Sequence, residues 1–491
     1  MRHVPGSEEN MDDSDHFRGT AVMSQEKVND VKKVHSLTTE ETEFKREIGV
    51  FGGVSVIMGI MVGSGIFYLG SYVLERTGMN EGLSLLCWLV AGIVSLLAGL
   101  CFAELGAAMP RAGGRVLYLN EAYHPVFGFM TGFTDWLIGG PGSVAAVSIA
   151  TMTILKPYLG LSEIGVKASA VVLIVGCTLY NLFGVKIGSI VQNIFLVGKL
   201  IPILIVMVPA LAVGKAMPSM SLESASVYAQ ANNTNVIGMM AIAIVAAMWA
   251  YEGWSNINSI AEEIKKPHRN LPLALIIGIG GATLLYILFN FAIMKVLPHD
   301  RIAAMIKSGD VYLGTAVAVQ IFGKVGGLIV SIGMVIAIFG SMNGVVIAQP
   351  RMYYAMAEEG HFFKSFARLH PKYRVPTVPL IVQCVFSVAL VMLRNLDQLT
   401  NLVVLSVMLF NVLVVLAVPI LRKKYPDIER PYKVWFYPFS VIIVALVFVG
   451  LFVQGAIDDP VTGLTGFVVP VVGAFVYWLF DVKIKREKRD A

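Results

Sequence analysis

From residue 47 almost to its end, the chain alternates between long apolar runs and short polar stretches. Runs of about 18 or more largely apolar residues read as bilayer-crossing helices. Twelve such runs are present. The first six lie near 47–73, 82–108, 123–154, 166–184, 187–213 and 236–264; the second six near 271–294, 326–347, 377–393, 399–420, 436–456 and 462–481. The third run is long, and Pro141 between Gly140 and Gly142 predicts a bend in it. The stretch 295–325 is too polar to cross, although 311–322 fits a short surface helix. The pattern predicts an all-α membrane protein of twelve transmembrane helices. It divides into a disordered cytoplasmic tail at 1–44, a twelve-span domain at 45–485 and a basic cytoplasmic tail at 486–491. The first tail lacks the apolar core of a signal peptide.

Polar residues inside the runs carry the candidate chemistry. In run one, Gly63-Ser64-Gly65 stands mid-membrane. Two glycines so close weaken the helix there by about 1 kcal/mol each relative to alanine. A break at that depth frees backbone groups and is tolerated only where it lines a cavity or is buried in protein. The other reading is a close helix-packing surface of small residues. In run six a carboxylate and a glycine interrupt apolar sequence at Trp249-Ala250-Tyr251-Glu252-Gly253-Trp254-Ser255. If the first ten runs form two five-helix halves, runs one and six hold corresponding places. Glycine-interrupted segments at matching positions of two halves point to a transporter site, and the coincidence favours two broken helices.

Lys199 lies deep in run five and is the single basic residue of the 38 that falls in no loop or tail. An ammonium at that depth costs at least about 2.5–3.5 kcal/mol on insertion scales, which predicts polar partners or a wet cavity; snorkelling to an interface is the alternative. Ser341 and Asn343 in run eight are expected to partner Lys199 or a half-helix end, or to bond between helices. Glu104, near the end of run two, is expected to order the following loop with Arg111 or Arg115, and Asp135 has no assigned role.

Composition and charge narrow the picture. Charged residues make up 14% of the chain and hydrophobic ones 56%, with mean hydropathy +0.72; soluble domains carry about 25% charged residues. The net charge of +5 therefore does not imply nucleic-acid binding. With the N-terminus inside, the five cytoplasmic loops hold 16 Lys and Arg against 9 in the six external loops, and the tails hold 7 and 5. That bias places both termini in the cytoplasm. Cys87, Cys101, Cys177 and Cys384 all fall inside apolar runs, so no external disulfide framework is expected. No metal-ligand cluster, phosphate loop or nucleophile-base pattern occurs. Neither an enzyme nor a cofactor is expected.

Four stretches, in this order and spacing, resemble the amino acid–polyamine–organocation superfamily, and within it the L-type amino acid transporter family. They are Gly63 to Phe67; Glu104-Leu105-Gly106 leading to Pro110-Arg111; Gly198-Lys199-Leu200-Ile201-Pro202; and Ala250 to Trp254 with Glu262-Glu263 and Asn270-Leu271-Pro272. The likeness runs from about 46 to 485, is strongest to bacterial serine/threonine-exchanging members, and extends into run eight through Ile336 to Gly344.

The resemblance implies a LeuT-like inverted repeat of runs one to five and six to ten, with helices one and six broken. It also implies sodium-independent amino acid exchange by alternating access. The substrate carboxylate would meet N–H groups at Gly63, Ser64 and Gly65. The ammonium would meet carbonyls near Met61, Trp249 and Ala250, with Gly253 and Ser255 completing the site and Trp249 closing over it. Lys199 would stand in for a sodium ion, with Glu252, Ser341 and Asn343 in support. Ile60 stands where many relatives have threonine and Trp249 where many have phenylalanine. Ser255 replaces the glutamate of cationic exchangers. A small neutral L-amino acid such as serine, threonine or alanine is therefore expected. Alternatives are proton-coupled uptake, exchange of larger neutral or cationic amino acids, or a sensor that binds without transport. The loop 156–163 lacks the cysteine by which eukaryotic members hold a heavy chain, so no disulfide-linked partner is expected; partners are amino acid and lipid, and a bacterial inner membrane is favoured.

Overall fold

Backbone groups in hydrocarbon must find partners within their own segment, and helices are the structure that achieves this for a single run. The computed structural model describes residues 48–182 except 64 and 112, 200–358 except 220, 222, 232 and 233, and 362–490 except 374, together with 37, 38 and 46. The predicted 1–44 tail therefore lies outside the described residues apart from 37 and 38.

In chain order the α-helices begin with α1 (Val50–Met61), α2 (Gly65–Arg76), α3 (Glu81–Ala108), α4 (Arg115–Ala122) and α5 (Pro125–Thr134). A π-helical turn at Asp135–Gly139 leads to α6 (Gly140–Leu159), then α7 (Glu163–Leu182), α8 (Leu200–Val213) and α9 (Glu223–Ala231). Next come α10 (Val236–Tyr251), α11 (Asn256–Ser259), α12 (Pro267–Val296), α13 (His299–Lys307) and α14 (Leu313–Glu358). The last four are α15 (Thr377–Leu393), α16 (Leu396–Lys424), α17 (Phe439–Asp458) and α18 (Pro460–Asp490). Among the described residues nine helical stretches are long and apolar enough to cross a membrane, and α1 with α2 forms a tenth that is bent by 55°. α8 and α15 are shorter apolar helices.

Side-chain caps fix the ends that matter. Asn80 accepts from Leu83 N–H at 2.8 Å and opens α3; Asn235 accepts from Gly238 N–H at 2.7 Å and opens α10. α12 lies against α3 and α1, while α10 packs on α2 and α3. Isolated parallel pairing joins the start of α1 to the segment after α11: Ile48 N–H donates to Glu263 O (3.0 Å) and Lys265 N–H to Ile48 O (2.9 Å). Arg46 reinforces this tie by donating to Ala261 O and Ile264 O.

Two expectations need correction, and one is met with adjusted bounds. The irregularity in the third run precedes Pro141: Gly140 N–H reaches back five residues to Asp135 O, so the turn ahead of the proline is widened. The proline ring crowds the carbonyl four residues earlier and removes a donor, and a wider turn relieves both. The helix expected at 311–322 is present as the first part of α14: it begins at Leu313 and ends at Gly323, whose φ of 71° is non-helical and separates it from the long helix that follows. Glu104 is paired with neither loop arginine. Its buried carboxylate accepts from Arg422 Nε (2.7 Å), Arg422 Nη2 (2.6 Å) and Val434 N–H (2.7 Å). α3 packs on α16 here, so Glu104 faces the basic end of α16, whose cation also suits a helix C-terminus. Arg111 instead meets Glu262 at 3.1 Å and Arg115 meets Asp135 at 3.6 Å.

Candidate functional site

The first break forms where α1 runs out. Val62 N–H donates to Met58 O at 2.9 Å, and Gly63 N–H to Met61 O at 2.8 Å. The second bond spans only two residues, and Val62 lies at φ −76°, ψ 77°. This is an inverse γ-turn. It ends the helix, and α2 restarts at Gly65 on a new axis. Ser64, the centre of the Gly-Ser-Gly motif, and Lys199 lie outside the described residues.

The second break follows Tyr251. Glu252 N–H returns to Trp249 O at 3.2 Å, and Glu252 itself is extended. Gly253 then takes φ 109°, a conformation that strains any side chain. Asn256 closes the turn by donating its side-chain amide to Gly253 O at 3.0 Å.

The two breaks touch. A Cβ placed on Gly65 would stand 3.1 Å from both Cα and Cβ of Ala250, and one on Gly253 would stand 2.3 Å from Ile60 Cγ2. The glycines thus interrupt helices and also permit close packing, so the two readings open at the sequence level coexist. The Tyr286 hydroxyl from α12 lies 2.7 Å from Met61 O and 2.7 Å from Ala250 O, donating to the carbonyl ends of both broken helices. Trp88 and Tyr251 hold this ring, with centroids 5.4 and 5.1 Å away. Tyr286 was not anticipated, because one tyrosine in an apolar run carries no signal of its register against two breaks elsewhere.

The remaining candidates distribute as follows. A Cβ on Gly63 would lie 3.3 Å from Ser341 Oγ, so Ser341 borders the first break; its hydroxyl donates to Ala337 O at 3.3 Å. Asn343 is fully buried and its Oδ1 accepts from Tyr180 (2.5 Å) and Asn181 (3.0 Å), joining α14 to α7. Trp249 is half-buried between the two apolar clusters of the molecule. Glu252 is half-buried and within electrostatic reach of Arg115 and Asp135. Ser255 is buried and lines a cavity of about 450 Å³ with residues of α4, α5, α11, α14 and α18.

Chemically, this is an amphoteric centre. The C-terminal carbonyls of α1 and α10 present negative partial charge, and the start of α2 presents positive. A carbonyl oxygen has two lone pairs, so Ala250 O retains acceptor capacity beside Tyr286, whereas Met61 O already accepts from both Tyr286 and Gly63 N–H. Among the described residues no cluster of three or more His, Cys, Asp or Glu is arranged to hold a metal ion.

The amino acid permease family profile matches residues 48–480. The chain is 30% identical to the serine/threonine exchanger SteT of Bacillus subtilis over 82% of its own length and 90% of that protein. It is 29% identical to the mouse b(0,+)-type amino acid transporter 1, covering 93% and 92%, and 31% identical to the human cystine/glutamate transporter, covering 91% and 88%.

Proposed function

We propose that this chain, which belongs to the amino acid permease family, is a sodium-independent exchanger of small neutral L-amino acids of the serine, threonine and alanine kind. The observation that carries the reading is the meeting of two helix breaks around one tyrosine hydroxyl. Backbone donors at Ser64 and Gly65 receive the substrate carboxylate; the Gly63 N–H, expected to join them, is held by Met61 O in the turn. Carbonyls at Trp249 and Ala250 receive the ammonium, Met61 O being filled by Gly63 N–H and Tyr286, and Trp249 closes the pocket, with Gly253 and Ser255 at its edge. Lys199 supplies the fixed positive charge that a sodium ion would otherwise bring. A pocket without an acidic partner at Ser255 rejects cationic side chains, since an unpaired buried charge costs several kcal/mol.

The proposal extends to architecture and setting. With α8 and α15 counted as spans, the chain crosses twelve times. The breaks after α1 and α10 fall at matching places of two inverted five-helix halves. The transporter domain is 45–485, between cytoplasmic tails, in a bacterial inner membrane and without a disulfide-linked partner. The test is counterflow of labelled serine in proteoliposomes with competition by alanine, threonine, leucine, phenylalanine, arginine and lysine. Serine, threonine or alanine competing best is the expected result. Arginine or lysine competing best would overturn the charge argument and move attention to Glu252.

A further inference from the structure

The 450 Å³ cavity touches the breaks at Ser255 and Asn256 and extends away from them toward Pro125 and Tyr477. Pro125 opens α5, just beyond α4 and the loop that carries Arg111, so this is the side read as cytoplasmic. Its wall brings together three polar groups from two elements. Arg115 and Asn120 come from α4, and Asp135 from the π-helical turn. Arg115 Nη2 stands 3.6 Å from Asp135 Oδ2, an ion pair too long for a hydrogen bond. Arg115 Nη1 and Asn120 Oδ1 are both shielded from solvent and have no hydrogen-bond partner among the described residues. Asn120 Oδ1 lies where a Cβ on Gly128 would be, 2.1 Å from that position, so the glycine leaves room for the amide. Tyr353 donates to Asp135 O at 2.9 Å and anchors the widened turn that carries this carboxylate.

A buried donor and a buried acceptor left unmade are costly unless a ligand completes them. The unmet guanidinium N–H matches a carboxylate. The unmet amide oxygen and the Asp135 carboxylate match an ammonium. A free amino acid carries both groups on one carbon. We propose that the Arg115–Asn120–Asp135 corner is a second, cytoplasmic-side subsite that receives the zwitterionic headgroup of the substrate after it leaves the helix breaks. Arg115 takes the carboxylate, Asn120 and Asp135 take the ammonium, and the long Arg115–Asp135 pair opens around the pair of charges. Glu252 adds a second negative charge in reach of Arg115, so the corner disfavours a substrate bearing an extra anion. This subsite rests on the amino acid exchange reading.

The experiment measures exchange in proteoliposomes whose protein orientation is fixed independently by protease accessibility, with labelled serine supplied to either face. Wild type must exchange; absence of exchange with any of the twenty amino acids would remove the functional reading and leave nothing for the subsite to serve. Given exchange, Arg115→Gln should raise KM at the cytoplasmic face at least about tenfold, the loss of a charge-assisted hydrogen bond. KM at the external face should stay within about twofold. Arg115→Lys should recover part of the loss, because a point charge replaces the planar fork. Asn120→Ala, on a half-exposed residue that removes no charge, gives the same asymmetry should Arg115→Gln fail to insert. KM rising equally at both faces, rising only externally, or not changing would overturn the proposal.

Discussion

Replacing Tyr286 with phenylalanine removes one oxygen and almost no volume. Two carbonyls, Met61 O and Ala250 O, each lose a donor at 2.7 Å. One hydroxyl carries one proton, so the loss amounts to a single full hydrogen bond shared between two acceptors. Leaving a buried acceptor unmet costs about 1–3 kcal/mol. If the hydroxyl aims those carbonyls at the substrate, the cost falls on substrate binding and amounts to about 5- to 150-fold in affinity. Equilibrium binding of labelled serine to purified Tyr286→Phe, beside its thermal unfolding midpoint, separates the two possible destinations of that energy. A lowered affinity is the expected result. An affinity within about twofold of wild type would reduce Tyr286 to a tie between helices with no part in the substrate site.

Other consequences follow from the same contacts. Gly65→Val places γ-methyl groups against Ala250, where even a Cβ stands at 3.1 Å, and overpacking of about 1–3 kcal/mol should reduce serine binding about 5- to 150-fold. Gly65→Ala should lose less and be partly rescued by Ala250→Gly; unchanged binding by Gly65→Val would show that the carboxylate site lies elsewhere. Gly253→Ala combines φ 109° with a Cβ 2.3 Å from Ile60, and counterflow should fall about tenfold or more; normal rates would mean this turn is not held rigidly. Glu104→Gln leaves Arg422 against a neutral partner, and breaking a buried pair costs about 3–5 kcal/mol, so the unfolding midpoint in detergent should drop sharply. A midpoint equal to wild type would contradict the pairing described here.

The helical runs were legible because apolar length is nearly the whole requirement for a membrane helix. Gly63, Gly65 and Gly253 were legible for the same reason, as interruptions of otherwise uniform apolar sequence. Contacts between runs were not. Glu104 stood nearest in sequence to Arg111 and Arg115, yet its partner, Arg422, lies 318 residues away. Tyr286 and the Arg115–Asp135 corner depend on the rotational setting of several helices against each other, which periodicity in uniformly apolar runs does not encode. The π-helical turn at Asp135 had a sequence cue in Pro141, but a proline announces an irregularity and not its position.

Exchange at this site needs no sodium. Its most direct measurement is counterflow of labelled serine into serine-loaded proteoliposomes, with sodium replaced completely by choline on both faces. The same initial rate is expected in both media. A rate that rises steeply with sodium concentration would contradict it, and with it the proposal that Lys199 stands in place of the ion.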